Sequence, residues 1–376
     1  MRFVKTLTGA LALVAMAACA GDYPMSTINP QSDFAETIQG LYVQIFWWTL
    51  IILALVWVVL AYILVRFRER PDSPHPKQIH GHTGFEIAWT IVPALIVVAI
   101  TIPTVQAVFE TQTADPDAFV VDVVGHRYWW EFRYPQNGDV VTANELRLPV
   151  DRPVALRIFS EDVIHSFWIP ALGGKRDANP LRAVPEGQNT KYNWIFLTPT
   201  QVGTFMGQCA EFCGESHSRM GMRVVVESEA DFNQWLADWN TGHPTPTAPA
   251  QVAAAGTPAS QEAPAAEDPN IAMGRNLFAA ACSACHAVNN SPAAGQVGPN
   301  LTLLGRRGIV AAGMLDMNRE NLIQWISDPR SVKPGVLMPG LEYQGGSSTL
   351  MWPAFSTFGI TPEQVGIIAD YLLSLR

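Results

Sequence analysis

The sequence predicts a multidomain chain: a two-helix transmembrane hairpin, a β-sandwich or Greek-key barrel, and an all-α C-terminal domain. Three observations carry this. Two uncharged apolar runs, 41–65 and 87–109, lie near the N-terminus. Between 118 and 227, short runs rich in Val, Ile, Phe, Tyr and Trp alternate with Gly, Pro and Asp. Beyond a proline- and alanine-rich stretch the pattern turns helical. A chain of 376 residues has room for two or three domains. Its composition, 48% hydrophobic and 15% charged, is too apolar for an ordinary soluble protein. The net charge of -9 argues against a nucleic-acid partner, because a phosphate backbone needs a basic face.

Residues 1–19 read as a signal segment. Arg2 and Lys5 precede an apolar run from Leu7 to Ala18, which ends in Met16-Ala17-Ala18-Cys19. The segment resembles a bacterial lipoprotein signal, in which Cys19 is lipidated and becomes the new N-terminus. The alternative is a plain signal peptide cut near Ala18 or Ala20.

Residues 20–110 form the predicted hairpin. A helix of about 20 apolar residues crosses a bilayer, and both runs are long enough. Pro93 and Pro103 lie inside the second run, where neighbouring helices can re-satisfy the freed backbone groups. Arg66, Arg68, Arg70 and Lys77 separate the runs, whereas 20–45 and 110–126 contain no Lys or Arg. The positive-inside rule puts the short loop in the cytoplasm. Everything after residue 110 is then expected on the periplasmic or outer side of a bacterial cytoplasmic membrane.

The β module is assigned to 111–240. Its expected strands are Phe119–Val124, Tyr128–Tyr134, Val154–Phe159, Tyr192–Leu197 and Met222–Glu227, and their spacing suits a sandwich or barrel. A short helix from Asp231 to Trp239 closes it. Residues 241–268, with five prolines among Ala, Thr and Gln, cannot bury a core and read as a linker. The last domain, 269–376, has expected helices at Asn270–Ala281, Glu320–Ser327 and Pro362–Leu375. Pro362 takes the first-turn position that proline prefers.

Five cysteines divide into three uses rather than a disulfide framework. Besides Cys19, the first use is Cys209-Ala-Glu-Phe-Cys213-Gly-Glu-Ser-His217-Ser-Arg-Met220, with His165 upstream. Thiolate and thioether select copper over harder ions, and imidazole suits copper as well as zinc. A disulfide is the plain alternative for two cysteines in an oxidising compartment, but His217, Met220 and His165 weigh against it. Met220 also weighs against zinc, which rarely takes a thioether. The second use, Cys282-Ser-Ala-Cys285-His286, has the spacing of a covalent haem c site. No further cysteine pair is present for zinc, and no βαβ pattern for a thioredoxin-like redox pair.

The His165-Ser-Phe-x-x-Pro and Cys-x-Glu-x-Cys-Gly-x-x-His-x-x-Met pattern resembles the dinuclear CuA motif of cytochrome c oxidase subunit II. The resemblance implies a cupredoxin-like domain in which Cys209 and Cys213 bridge two copper ions. His165 and His217 would each bind one copper. Met220 and the backbone carbonyl of Glu211 would be weak axial ligands. It further implies that the Glu211 side chain reaches a magnesium or manganese ion shared with subunit I. Gly274-Arg-Asn-Leu277-Phe278 and Gly298-Pro299-Asn300-Leu301, flanking the haem motif, resemble class I cytochrome c. That family implies thioethers at Cys282 and Cys285, His286 as proximal ligand, and the Pro299 carbonyl as partner of the other histidine nitrogen. Lys333-Pro-Gly-Val-Leu-Met338-Pro339 is similar to its methionine loop, so Met338 is the expected distal ligand, with Met351 as runner-up.

Two further positions follow from the subunit II resemblance. Glu86, opening the second helix, is read either as a favourable acid at a helix start or as the family's acid near a proton channel into subunit I. In Gly125-His-Arg-Tyr128-Trp129-Trp130-Glu-Phe132-Arg-Tyr134, Tyr128 aligns with the surface Trp that receives electrons in that family, with Trp129 next to it. Alternating residues of the same strand would fill the core. The hairpin, the copper motif and the fused haem domain together resemble subunit II of haem-c-fused (caa-type) oxidases. That implies electron transfer from haem c to CuA to subunit I, where oxygen reduction and proton pumping take place. Implied partners are subunit I, subunit III and a donor such as a cytochrome c or a quinol–cytochrome c reductase complex. A copper storage or delivery protein is the rival of another class, and it needs no haem.

Overall fold

The computed structural model describes residues 23–68, 71, 78–138, 140–181, 192–241, 268–341 and 358–376. Cys19, nearly all of the 241–268 linker, and Met351 lie outside them.

Two long helices come first: α1 (Asp33–Arg66) and α2 (Thr83–Glu110). Their spanning windows are apolar and unburied within the chain. Pro93 and Pro103 stay inside α2. Helix α1 starts earlier than its apolar run because Ser32 caps it, accepting from the Ala35 amide. That first turn is seated on the β domain rather than in the apolar run. The Ser32 hydroxyl donates to the Leu172 carbonyl (2.7 Å), and the Asp33 carboxylate accepts from the Thr198 amide (2.7 Å). Phe34 is buried in the β-domain core. These bonds fix where the hairpin leaves the folded domain.

The β domain is two five-stranded sheets packed face to face. One has the order β3 (Val140–Ala143), β2 (Trp129–Tyr134), β1 (Phe119–His126), β5 (Val154–Ser160), β8 (Asn193–Leu197). The other runs β4 (Glu145–Pro149), β10 (Gly221–Glu227), β9 (Gly203–Cys209), β6 (His165–Trp168), β7 (Arg176–Ala178). Each sheet has a parallel pair, β1 with β5 and β4 with β10, among antiparallel neighbours. This is the cupredoxin-like sandwich the sequence suggests. The period-2 alternation of β2 decides its faces: Trp130, Phe132 and Tyr134 are buried, and Trp129, Glu131 and Arg133 are partly exposed. The helix α3 (Glu229–Thr241) closes the sandwich by burying Phe232, Trp235, Leu236 and Trp239 on one face.

The C-terminal domain packs α4 (Pro269–Ala281), α5 (Arg319–Ser327), the single-turn α6 (Pro329–Val332) and α7 (Pro362–Ser374). Asp268 caps α4 and Thr361 builds a capping box on α7. Phe278, Leu322, Ile326, Ile368, Tyr371 and Leu372 form its core. A small strand pair, β11 (Ile309–Val310) and β12 (Leu315–Asp316), lies outside the helical expectation.

The two domains are docked. Leu303 and Val336 of the C-terminal domain belong to the apolar cluster of the β domain. The Gly221 amide donates to the Ala312 carbonyl (2.9 Å), and the Gly308 amide to the Glu145 carboxylate (3.2 Å). Arg307, buried, donates to the carbonyls of Asn300 (2.6 Å), Thr302 (3.2 Å) and Ala143 across the seam (3.4 Å). Burial pulls its guanidinium down to about 10.

Phe232 sits fully buried, edge-on to Phe119 at 5.5 Å. Replacing it with Ala removes a large core ring, and the β domain is expected to lose about 3–5 kcal/mol. A fall in the thermal unfolding midpoint, followed by tryptophan fluorescence, checks this.

Candidate functional site

The copper-type residues converge because β6 and β9 are neighbours. His165 opens β6 and Cys209 closes β9, and the antiparallel register sets Phe167 opposite Cys209. From Cys209 the chain leaves the sheet, turns through a 3-10 segment at His217–Arg219, and returns at Met220 before β10. The Cys209 amide donates to the Met220 carbonyl (2.8 Å), so the loop is closed at its base. The Ala210 amide donates to the Ser166 carbonyl (2.9 Å), which ties it to β6.

Inside this loop the donors form a symmetric set. The two sulfurs are 3.9 Å apart, far beyond the ~2.0 Å of a disulfide. Cys209 Sγ lies 3.9 Å from His165 Nδ1, and Cys213 Sγ lies 3.8 Å from His217 Nδ1. Met220 Sδ is 3.9 Å from Cys213 Sγ, and the Glu211 carbonyl is 3.2 Å from Cys209 Sγ. Each sulfur therefore faces the other, one imidazole and one weak donor. Cys209, Cys213, His165 and Met220 are all buried. Among the described residues, His165, Cys209 and Cys213 are the one group of three acidic, His or Cys ligands close enough to hold a metal.

The surroundings orient this set. Asp162 Oδ1 is 2.9 Å from His165 Nε2, which leaves Nδ1 free to face the sulfurs. Burial opposes the Asp162 charge, but bonds from His165 and from the Val163 and Arg127 amides outweigh it and lower the carboxyl to about 2. For His165, burial disfavours the charged ring, and the bonds to Asp162 and Cys209 more than offset this. Between the thiols, the bond from Cys213 and the imidazole of His165 favour ionisation of Cys209, while Cys213 is held protonated. Trp130 packs edge-on to His165 at 5.8 Å, so this strand aromatic serves the core beside the site. Asp162 was not among the residues the sequence singled out. Its position three residues before His165, in the bend between β5 and β6, is the signal that could have found it.

The second site is an apolar cleft of about 330 Å³ in the C-terminal domain. Cys282, Cys285, His286, Pro299 and Met338 line it, as the haem motif and methionine loop require. His286 Nδ1 is 2.8 Å from the Pro299 carbonyl, so Nε2 is left for a ligand. Burial lowers the histidine's basicity, which favours the neutral ring that binds metal. A Cβ on Gly298 would come within 2.7 Å of that ring, so only glycine lets the chain pass flat behind it. Free thiols at Cys282 and Cys285, an apolar wall and a neutral, oriented imidazole fit a covalently held haem.

The cleft is completed by the other domain: Arg127, Tyr128, Trp129, Ala143 and Asn144 also line it. Tyr128 departs from the expected exposed position. It lies in the turn before β2 and is buried. Its hydroxyl accepts from the Glu215 amide (3.0 Å) and fills the space that a Cβ on Gly214 would need (2.6 Å), with the ring edge behind it (3.2 Å). Gly214 has φ +131°, open to glycine alone. Tyr128 thus touches the copper-type loop and the haem-type cleft together. Trp129 stacks on His126 (centroids 4.2 Å apart) and lines the cleft only. The buried Lys333 donates from Nζ to the Tyr128 carbonyl. Burial pulls its ammonium down to about 7. Glu211 is half-buried beside the exposed Phe212 ring. Glu86 accepts from the amide of the cap residue His82 (3.1 Å), the helix-start arrangement.

Comparison with known proteins agrees with this layout. Residues 25–107 match the family described as cytochrome C oxidase subunit II, transmembrane domain, and 140–229 its periplasmic domain. Residues 271–376 match cytochrome c. A cytochrome c oxidase subunit 2 from Alkalihalophilus pseudofirmus is 33% identical, covering 85% of this chain and 86% of its own. Another, from Bacillus sp. strain PS3, is 32% identical over 83% and 80%. A quinol oxidase subunit 2 from Bacillus subtilis is 32% identical but covers 62% of this chain and 73% of its own. Among solved structures, the periplasmic domain of subunit II of cytochrome oxidase from Bradyrhizobium japonicum is 27% identical. It covers 35% of this chain and 97% of that one, with a TM-score of 0.30. The chain belongs to the cytochrome c oxidase subunit 2 family, with a cytochrome c domain fused at its C-terminus.

Proposed function

We propose that this chain is the electron-receiving subunit of a proton-translocating oxidase, taking electrons at its C-terminal domain and passing them through the copper loop to subunit I. The observation that carries the reading is the seam: the two candidate centres face each other across Tyr128, within one docked chain. In this reading Cys209, Cys213, His165, His217, Met220 and the Glu211 carbonyl would together hold two copper ions. A copper pair there supplies one-electron carriage, and a haem on Cys282, Cys285 and His286 with Met338 supplies a second carrier of raised potential.

The chain's own groups do the rest. Asp162 holds the His165 ring, and Pro299 holds the His286 ring, so neither must reorient when charge arrives. The buried core around Trp130 and Phe167 keeps water from the copper side of the seam. Glu211 and the exposed Phe212 would face subunit I, with Glu211 reaching a shared magnesium or manganese ion. Subunit III and a donor, either a cytochrome c or a quinol–cytochrome c reductase complex, complete the assembly. Both folded domains would stand on the periplasmic side of the bacterial cytoplasmic membrane, with Cys19 as a lipid attachment point. Oxygen reduction and proton pumping belong to subunit I, toward whose proton channel Glu86 would point.

Purification of the tagged chain from membranes tests this directly. It should bring down a multi-helix haem–copper subunit, consume oxygen, and carry two coppers and one haem c per chain. Isolation without a partner, or with one copper, contradicts the reading. Asp162→Asn removes the charge that orients His165 and should weaken copper binding about 10–100-fold in chelator competition. Met338→Ala should abolish the sulfur-to-iron ligation signal, and Met351→Ala should leave it. The opposite result assigns the ligand to Met351.

A further inference from the structure

We propose that Lys333 is a positioning residue for electron transfer between the two centres, a buried peg that holds the haem domain in register on the copper domain. The proposal rests on the reading of those centres given above. The step served moves one electron: the haem centre is oxidised, the copper centre is reduced, and no bond or proton is exchanged.

The case is geometric. Lys333 is 2% exposed and ranks among the largest fully buried side chains of the molecule. A buried ammonium is costly unless it is paired and hydrogen-bonded. Among the described residues no carboxylate forms an ion pair with it, and its Nζ donates to the Tyr128 carbonyl in the other domain. Lysine at the seam is therefore held for what it binds, not for packing alone. The bonded carbonyl belongs to the residue whose hydroxyl and ring rest on Glu215 and Gly214, inside the copper loop.

Neighbours of Lys333 close the same clasp. The Ser216 hydroxyl donates to the Pro334 carbonyl (2.6 Å), and Arg219 Nη1 donates to the Val332 carbonyl (3.0 Å). Val336 is buried in the β-domain core. Five residues beyond the lysine, the loop delivers Met338 to the cleft. One loop thus carries the expected sulfur ligand at one end and grips the copper loop at the other. Electron-transfer rate falls steeply with separation, so a peg that fixes the separation sets the rate.

The test uses the intact oxidase. The haem centre is reduced photochemically and the arrival of the electron at copper is followed by absorbance. Lys333→Met keeps the stem and removes the bond. It should slow transfer at least tenfold with both centres' spectra intact, make the rate depend on viscosity, and be partly rescued by Lys333→Arg. Arg219→Ala, which loosens the clasp by removing the bond to the Val332 carbonyl while leaving every haem-domain residue unchanged, should slow transfer at least threefold. Transfer at the normal rate in Lys333→Met overturns the proposal. If Lys333→Met loses its haem spectrum, Arg219→Ala decides, and a normal rate there overturns it too. Absence of either centre's spectrum in the unmodified oxidase would instead overturn the reading of the centres.

Discussion

The pairing of β6 with β9, closed by the bond from the Cys209 amide to the Met220 carbonyl, is the constraint on which the rest depends. It brings a histidine at the start of one strand against a cysteine at the end of another, 44 residues apart. It also forces the next eleven residues into a compact return, which folds Cys213, His217 and Met220 back onto Cys209. The protein builds the donor set from backbone hydrogen bonds and a rigid sandwich. Rigidity suits one-electron transfer, where little should move when charge arrives.

The docked seam extends this logic. The β domain contributes Tyr128, Trp129 and Asn144 to a cleft whose remaining wall is haem-type. The C-terminal domain in turn contributes Leu303 and Val336 to the sandwich core. Each domain completes the other, so the seam is more than a surface contact. Two buried cations, Arg307 and Lys333, both donate to carbonyls across it. The sequence joining the two domains carries no core-forming pattern that could define the register in which they dock. The seam's own bonds supply that register.

Much of this was legible in the sequence. The apolar runs, the strand pattern at Phe119–Val124 and Val154–Phe159, and the helices flanking Cys282–His286 all match the structure closely. Local periodicity was enough there, because each element buries one face. The strands β3, β4, β6, β7 and β9 were missed. β3, β4, β6 and β7 are only three to five residues long and β9 carries Gly203 and Gly207, so pairing with neighbours rather than pattern defines them. The soft-ligand spacing from Cys209 to Met220 pointed to the site, but Asp162 and Lys333 did not show. Their roles come from contacts made across the fold, at 3 residues' separation through a turn and at 205 through the seam. Tyr128, aligned with a surface residue of the family, is buried here. No local pattern reveals that a second domain covers it.

The central claim is that Cys209 and Cys213 hold a bridged copper pair rather than one ion or a disulfide. Electron paramagnetic resonance of the oxidised, purified chain tests it most directly. One unpaired spin shared equally between two copper nuclei gives a hyperfine pattern distinct from that of a single nucleus. The shared pattern is the predicted result. A single-copper pattern, or no copper signal with Cys209 and Cys213 oxidised to a disulfide, would contradict it.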